Sequence, residues 1–568
     1  MRESFASGYS LRRLRADVLA GIVVGLIELP LAMALAIATG VPPQYGLYTA
    51  IVGAAVIAVT GGTKVQVSGP TAAFIVVLAP IVHEHGLGGL CFATLMAGAI
   101  MAAMGLFRLG GLINLVPYPV TTGFTLGIGC VIAIGQTPDL LGIPSQDLPP
   151  HPIPRLAAVF GQLGQVSAPD LVLGLSTLAL LICWPRVTTR VPAALVALFA
   201  ASLLGALMRS ICPDIDFATL GSRFSYVDVD GRTVAGIPSW MPTPVLPWQL
   251  DGIGAPDLVP DFALVRELMP SAFTIAVLGG IESLLSATVA DGMTGSRHDP
   301  DAELVGQGIG NMVVPFFGGF AATGAIARTA ANVRAGATSP IAAISHSVFV
   351  LVSMLMLAPY LAHLPMAALA AMLMLVAWNL SEVRHVVHVV RTAPGHDVGV
   401  LATCVLLTIV FDMVVAVVVG IGLASFLFMR RMAQISGVAV VPADQMQFEG
   451  EVPRGVLVYE VAGPLVFGSA ENAMSTVRAT AAHVKVVILS LGPVPAIDAT
   501  GVVNLRSAIQ RLSSVGIVVI LAGLRPQPAQ ALHKAEVTPE PGILEFEPSL
   551  RRAVSRAREI VTALDTLT

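Results

Sequence analysis

The sequence predicts a polytopic α-helical membrane protein that carries a soluble α/β domain at its C-terminal end. Three observations lead to this prediction. Hydrophobic residues make up 55% of the chain and charged residues only 12%, a balance typical of polytopic membrane proteins. Apolar stretches of spanning length follow one another as far as about residue 430. From about residue 439 onward, strand patterns alternate with helical ones, which is typical of a sheet backed by helices.

The composition also excludes several classes of function. A net charge of −4 gives no indication of a nucleic-acid partner. The five cysteines are scattered, without the spacing of a metal site or a disulfide framework. No nucleophile–base set and no phosphate-binding loop is evident, so we expect neither a cofactor nor an enzymatic activity. The first residues form a basic lead-in with no cleavable signal.

In chain order, we predict a transporter domain over residues 1–431 with fourteen membrane segments, seven in each half. Repeat one covers about 18–210 and repeat two about 263–430. The segments are 18–39, 46–59, 70–83, 90–107, 115–134, 171–184, 192–208, 270–290, 303–317, 324–333, 340–358, 365–379, 397–411 and 413–428. Because each half has an odd number of segments, the second repeat is inverted relative to the first.

The charges of the links between segments are consistent with this layout. With the N-terminus inside, the inner links carry Lys64, Arg108, Arg186, Arg190, Arg297, Arg334, Arg384, Arg391, Arg430 and Arg431. The short links on the opposite side lack lysine and arginine, as the positive-inside rule requires. We therefore expect a multi-pass protein of the inner (plasma) membrane, with its N-terminus and its soluble domain in the cytoplasm.

The stretch 65–75 interrupts the series of membrane segments and predicts a half-helix. It is apolar, yet Gly69 and Pro70 stand in its middle. Proline lacks a backbone N–H and clashes with the preceding turn, so a continuous helix cannot pass Pro70, whereas proline suits the first turn of a new helix. We predict a half-helix that begins at Pro70 and ends near residue 83. Its start offers free N–H groups and the positive end of the helix dipole, which attract an anion.

A second interrupted stretch, 318–328, mirrors the first and begins its half-helix at Gly324. Gly324 lies 254 positions after Pro70, and the same separation links Glu282 to Glu28. Two pairs at one separation indicate an internal duplication; the alternative is that these glycines only mark close helix contacts. Interrupted segments at matching places in two halves are typical of the substrate site of a secondary transporter.

The soluble domain is predicted over residues 439–568. We expect strands at 455–466, 484–491 and 516–521. We expect helices at 469–482, 500–514, 526–534 and 548–564. A piece of this length is a normal domain size.

Several motifs are distributed over nearly the whole chain. They are Leu29-Pro30 with Ala-Met-Ala-Leu-Ala, Pro43-Gln-Tyr-Gly-Leu-Tyr48, Val67-Ser-Gly-Pro-Thr71, Glu282-Ser-Leu-Leu, Asp291-Gly-Met-Thr-Gly295, Glu303-Leu-Val-Gly-Gln-Gly-Ile-Gly-Asn311, Ala327-Arg-Thr-Ala-Ala-Asn332 and Ile497-Asp-Ala-Thr-Gly501. Together they resemble the SulP family of anion transporters, the sulfate-permease type, with a C-terminal STAS domain. The sequences of these motifs are most similar to those of the bacterial proton-coupled C4-dicarboxylate subgroup. The sodium–bicarbonate members are the second most similar.

The resemblance implies an architecture and a mechanism. Segments one to four and eight to eleven would form a core that holds the substrate, and the other segments would form a gate. The core would move past the gate as an elevator, and homodimers are usual.

We expect the anion between the two half-helix starts, walled by segments one and eight. The predicted substrate-binding residues are Leu31, Leu35, Pro70, Thr71, Ala72, Gly324, Ala325, Ile326 and Arg328. Backbone N–H groups near Thr71, Ala72, Ala325 and Ile326 would bind the anion. Leu31 and Leu35 would form an apolar wall. Arg328 would add positive charge, or would instead form a salt bridge on the inner side.

Glu282 is the main candidate for binding the coupling ion, because an ionisable group inside an apolar span is a functional hypothesis by default. A carboxylate buried there can exchange a proton near neutral pH. Ser286, on the same helix face, would assist a coupling ion or bond its own backbone. Family members often carry a polar residue where this chain has Leu31, so Glu28 either takes over that role or only faces another helix.

The leading hypothesis is therefore a secondary transporter that couples a small anion, of the succinate, fumarate or aspartate type, to a proton. Sodium-coupled uptake of bicarbonate, or sulfate uptake, is the alternative within this class. A channel, or a membrane sensor that signals through the STAS-like domain, is the alternative from another class.

Overall fold

Apolar helices of spanning length dominate the chain as far as residue 435. The computed structural model describes residues 9–111, 117–144, 148–188, 191–228, 230–250, 260–411, 413–435, 437–440, 452–466 and 484–567. Within these ranges ten helices are long and apolar enough to cross a membrane, and the apolar helix Gly395–Val410 is shorter. Each of the fourteen predicted segments overlaps a described helix. The predicted polytopic fold is therefore confirmed.

The first half of the helical unit runs from Leu11 to Ile211. Its helices are α1 (Leu11–Thr39), α2 (Pro43–Tyr48), α3 (Ala54–Thr60), α4 (Ile75–Leu106), α5 (Tyr118–Leu141), α6 (Pro152–Gly161), α7 (Ala168–Val187) and α8 (Ala193–Ile211). Helix α1 begins at Leu11, before the predicted residue 18. Ser10 caps it, since the Ser10 hydroxyl accepts a hydrogen bond of 3.3 Å from the Arg13 N–H. Residues 11–17 of the basic lead-in thus form the first part of the helix.

The interrupted stretch of the first half begins with an extended pair, β1 (Ser68–Gly69). Thr71 is also extended, and a 3₁₀ turn, Ala72–Phe74, leads into α4. The half-helix therefore begins at Ala72, and the predicted start at Pro70 is wrong. The reason is that the backbone before Ala72 pairs with another strand. The predicted third and fourth segments form one helix, broken at Gly86 with φ 65°.

The second half is connected to the first by a short helix, α9 (Leu220–Arg223), and a hairpin of β2 (Ser225–Val227) and β3 (Thr233–Ala235). Its membrane elements are α10 (Phe262–Thr294), α11 (Pro300–Val313), β4 (Thr323–Gly324), α12 (Ile326–Arg334), α13 (Ile341–Leu361), α14 (Met366–Leu380), α15 (Val383–Thr392), α16 (Gly395–Val410) and α17 (Met413–Ile435). Helix α12 has nine residues and is the second half-helix. It begins at Ile326, so the predicted start at Gly324 is wrong, because Gly324 belongs to β4.

These helices pack in two groups. Helices α1, α3 and α4 pack on α10, α11 and α13, whereas α5 and α7 pack on α14 and α16. Small residues allow the closest approach in the first group. A Cβ atom on Gly308 would lie 2.4 Å from the Ala102 nitrogen, and one on Gly98 would lie 2.7 Å from the Gly308 carbonyl oxygen. Such contacts are typical of helix packing in membranes.

The two halves meet at a two-stranded antiparallel pair of β1 and β4. Gly69 pairs with Thr323, and Ser68 pairs with Gly324. Residues 69 and 323 are 254 positions apart, which is the separation that the sequence predicts for equivalent residues of the two halves. A residue paired with its own equivalent lies on a local two-fold axis. The internal duplication thus has a counterpart in the backbone.

The contacts divide the chain into two compact units, Met1–Gly422 and Leu423–Thr568. The second unit contains a five-stranded sheet in the order β5 (Gly437–Val440), β6 (Val456–Ala462), β7 (Val486–Ser490), β8 (Val518–Ala522) and β9 (Leu544–Glu547). Strand β5 is antiparallel to β6, and the other neighbours are parallel. The described helices are α18 (Ala499–Ser514), α19 (Pro526–Lys534) and α20 (Leu550–Leu567).

The sheet has an apolar cluster on each face. Leu505 and Leu532, from α18 and α19, pack on one face, and Ala557 of α20 packs on the other. The alternating strands and helices predicted for this part are confirmed, although β5 and β9 were not predicted. The predicted helix 469–482 lies outside the described residues.

Candidate anion-binding site

The two half-helices begin side by side, because β1 and β4 directly precede them and pair with each other. The backbone N–H groups of Thr71, Ala72 and Ile326 donate to no other group within the described ranges. Unpaired N–H groups at a helix start form a ready site for an anion. The prediction for Ala325 is wrong, however, because the Ala325 N–H donates to the Val67 carbonyl oxygen at 3.1 Å. That bond extends the strand pairing by one residue.

Two glycines leave room for polar side chains at this junction. A Cβ atom on Gly324 would lie 1.7 Å from Nε2 of Gln66, and one on Gly69 would lie 2.6 Å from Nη1 of Arg328. Gln66 and Arg328 therefore lie directly against the backbone of β4 and β1. A side chain at either glycine would displace them.

Glu282 reaches the junction from α10. Its Oε2 atom accepts a hydrogen bond of 2.9 Å from the hydroxyl of Thr71, the residue before the first half-helix. The Glu282 side chain is only partly covered by protein. It is thus placed where a solute at the half-helix starts would contact it.

Glu28 reaches the same junction from α1. It forms an ion pair with Nη1 of Arg328, and both side chains are buried, at 0% and 4% exposure. The Nη2 atom of Arg328 donates to the Pro70 carbonyl oxygen at 2.7 Å. Arg328 of the second half-helix therefore contacts both α1 and the extended segment just before the first half-helix. Arg328 does form a salt bridge, but at the junction of the two half-helices and not on the inner side, and its role near an anion stays a prediction.

The glutamates cross over between the two halves. Glu28 belongs to the first half and pairs with Arg328 of the second, whereas Glu282 belongs to the second half and accepts from Thr71 of the first. With both carboxylates ionised, the three charged groups Glu28, Glu282 and Arg328 sum to −1. Each proton taken up raises that sum by one.

One of the two expectations for Ser286 was a hydrogen bond to its own backbone, and the structure does not show that bond. The Ser286 hydroxyl donates to Oγ1 of Thr329 at 3.0 Å, and the same Thr329 oxygen accepts from the Val67 N–H at 3.2 Å. Ser286 thus fastens α10 to the second half-helix. Leu35 is fully buried, while Leu31 is partly exposed. Of the two leucines predicted as an apolar wall, only Leu31 has surface available to a solute.

A buried carboxylate, Glu303 on α11, was not predicted as part of the site. It accepts hydrogen bonds from the backbone N–H groups of residues 62 and 63, the Thr63 hydroxyl, the Ser283 hydroxyl and the Gln307 amide, all at 2.7–3.0 Å. Ser283 in turn accepts from Gln66 at 2.7 Å. The spacing of Glu303, Gln307 and Asn311, each four residues from the next on α11, was the available signal.

His346 on α13 was also not predicted. It is fully buried, and neither ring nitrogen has a hydrogen-bond partner among the residues that the structure describes. An isolated histidine in an apolar span was the only signal.

Known families match both units. The profile of the sulfate permease family matches residues 14–403, which is more than half of the chain. The STAS domain profile matches residues 447–553.

Individual proteins are similar over nearly the full length. The "Putative sulfate transporter YvdB" of Bacillus subtilis is 37% identical over 93% of this chain and 94% of its own. The "Bicarbonate transporter BicA" of Picosynechococcus is 27% identical over 96% of this chain and 95% of its own. The solved structure of SLC26A9 superposes with a TM-score of 0.83 at 18% identity, over 98% of this chain and 92% of that one, which shows a shared fold.

The names of these relatives refer to sulfate and bicarbonate, so the expected similarity to the C4-dicarboxylate subgroup is not supported. The broader resemblance is confirmed by the profiles and by the relatives alike. The chain belongs to the sulfate permease family, a family of membrane anion transporters with a C-terminal STAS domain.

Proposed function

We propose that this chain is a secondary transporter that binds a small anion between the starts of α4 and α12 and couples its movement to a proton on Glu282 or Glu28. One observation supports this most strongly. Two glutamates at equivalent positions of the duplicated halves, and a single arginine, meet at the paired half-helix starts. Ionisable groups inside a membrane domain are expensive to bury and typically serve transport.

The charge balance supports coupling to protons. With both glutamates ionised, the cluster is negative and repels an anion, and the Arg328 charge is already neutralised by Glu28. Protonation of one glutamate makes the cluster neutral, and protonation of both makes it positive. An anion and a proton therefore favour each other's binding, which is the thermodynamic requirement for symport.

Sodium is the alternative coupling ion. The Glu282 carboxylate and the Thr71 hydroxyl, 2.9 Å apart, are both oxygen ligands, and hard cations prefer oxygen. In that case the cation would replace the hydrogen bond between the Thr71 hydroxyl and the Glu282 carboxylate, and both oxygens would bind it.

We propose sulfate or bicarbonate as the substrate class, because the relatives that match over most of this chain are named for these anions. A C4-dicarboxylate is the second candidate. The partly exposed Leu31 on α1 favours it, since an apolar side chain suits an anion with a carbon body.

The proposed movement is an elevator in a homodimer, with the N-terminus and the STAS domain in the cytoplasm. The separation of the helices into two packing groups supports a core that slides past a gate. In this proposal α1–α4 and α10–α13 form the core, and the binding site moves with it.

Uptake into liposomes tests the proposed function. Purified full-length protein is offered labelled sulfate, bicarbonate or succinate, with an imposed pH gradient or an imposed sodium gradient. We expect accumulation of one anion driven by external acid. Accumulation driven only by sodium would transfer the coupling role to that ion. A large conductance that ignores the substrate gradient would identify a channel instead.

A further inference from the structure

Helix α15 lies between two apolar helices, and short connections join it to both. Two residues connect it to α14 and two connect it to α16. Helices α14 and α16 have 15 and 16 residues, about 22–24 Å of helix at 1.5 Å per residue. Glu382, with φ 40°, breaks the chain direction after α14. Helix α15 is therefore held at the level where two membrane helices end.

Four valines of α15 lie on two surfaces of the helix, one buried and one exposed. Val386 and Val389 are buried and pack against Leu401 of α16. Val387 and Val390, next to them around the helix, are 42% and 47% exposed. Buried valines attach α15 to the protein, and the exposed ones extend the apolar surface outward. In a membrane protein such a surface faces lipid.

The other side of α15 is basic. Arg384 and Arg391 are exposed and lie seven residues apart, so they project at nearly the same angle around the helix. At 100° per residue, that angle borders the exposed Val387. Neither arginine has an ion-pair partner in the described part of the chain. The charges therefore lie along the edge between the lipid-facing valines and the aqueous side, where long side chains reach headgroups.

An aromatic residue marks the same level. Tyr118, at the start of α5, forms a hydrogen bond with His385 of α15, and the two rings are in edge contact at 5.4 Å. Tyr118 is 53% exposed. Tyrosines are enriched at the membrane–water interface. Two acids lie close to α15 in sequence: the exposed Glu382, two residues before Arg384, and Asp397, which lies 3.6 Å from His396. Neither forms a salt bridge with Arg384 or Arg391 among the described residues.

We propose that α15 is an interfacial helix that binds the headgroup phosphates of anionic phospholipids through Arg384 and Arg391. Amphipathic helices with arginine beside an apolar face bind anionic membranes by this combination of burial and charge. The proposal concerns the surrounding bilayer and does not depend on which anion is transported.

Lipid binding by the full-length protein tests the proposal. Native mass spectrometry of detergent-purified protein measures retention of phosphatidylglycerol against phosphatidylcholine. The variant is Arg384→Gln with Arg391→Gln, and the matched control is Arg551→Gln with Arg552→Gln on α20. Each basic residue near a lipid surface is worth about 1 kcal/mol, so the variant should lose affinity for phosphatidylglycerol by roughly tenfold or more.

Two outcomes would overturn the proposal: equal phosphatidylglycerol binding by variant and control, or competition by free glycerol phosphate as effective as by the lipid. The second would identify a site for soluble phosphate.

A second measurement is independent of the arginines. A fluorophore on Val390→Cys, with the exposed Cys183 and Cys212 changed to serine, should be quenched by brominated lipid in liposomes. Quenching by aqueous iodide alone would show that α15 lies outside the bilayer.

Discussion

Gly69 pairs with Thr323 across β1 and β4, and the two residues hold equivalent positions in the duplicated halves. This pairing brings the starts of α4 and α12 together without any contribution from a side chain. The side chains then link the halves crosswise, since Glu28 pairs with Arg328 and Glu282 accepts from Thr71.

Glu282→Gln should abolish acid-driven accumulation of the anion while the protein still inserts and folds. The amide keeps the size of the side chain and can still accept from Thr71, but it cannot exchange a proton. Liposome uptake with and without a pH gradient measures the effect. Glu267→Gln is the matched control, because Glu267 lies on the same helix and its side chain is 63% exposed. Full coupled transport by Glu282→Gln would exclude this residue as the proton carrier.

Arg328→Met should destabilise the protein strongly, because it leaves the Glu28 carboxylate buried without its partner. Breaking a buried ion pair costs about 3–5 kcal/mol. Thermal unfolding in detergent should show a large drop for Arg328→Met and a partial recovery for Arg328→Met combined with Glu28→Met. A double variant no more stable than the single one would show that the Glu28–Arg328 pair is not the source of the loss.

Gly324→Ala should displace Gln66, since the added Cβ atom would lie 1.7 Å from Nε2 of that side chain. Because Gln66 is buried and donates to Ser283, the backbone of β4 must shift as well, and transport should fall. Gln66→Ala removes the obstructing amide, so the double variant should recover part of the uptake lost in Gly324→Ala. Gly336→Ala is no suitable control, because Gly336 has φ 97°; Gly399→Ala is suitable, because a Cβ atom there meets nothing within 4 Å.

Glu303→Gln should lower stability without changing the proton dependence of transport. Glu303 accepts hydrogen bonds from five donors, and a hydrogen bond typically contributes about 0.5–1.5 kcal/mol to stability. The amide cannot accept from all of them. Thermal unfolding should therefore move, while the pH profile of the remaining uptake should match that of the unchanged protein. A shifted pH profile would give Glu303 a part in coupling.

The breaks in the membrane segments could be predicted from sequence because their cause is local. Pro70 cannot continue a helix, and the separation of 254 residues between Glu28 and Glu282 is visible without any structure. The long-range partners could not be predicted. That Ala325 donates to Val67, or that Arg328 takes Glu28 as its counter-ion, depends on where α1 and β1 lie in space.

Some helix boundaries were predicted wrongly for a similar reason. The first half-helix begins at Ala72 and not at Pro70, because the chain before it pairs with β4. No residue nearby in the sequence indicates that pairing. In contrast, α1 began earlier than hydropathy suggested because its first turns are basic and amphipathic. A hydropathy criterion registers only the apolar part of such a helix.

Equivalent backbone positions of the two halves carry different side chains. Arg328 of the second half corresponds, at the separation of 254, to Phe74 of the first, and Phe74 is 1% exposed. At equivalent positions, the second half-helix thus carries a cation and the first carries a buried benzene ring that packs near Gly279 of α10. Under the proposed function, protonation of Glu28 would free the Arg328 charge to draw the solute off-centre, toward α12. The solute would then present different atoms to the two half-helices. An elongated anion would then bind in one orientation, so its two ends would not be interchangeable.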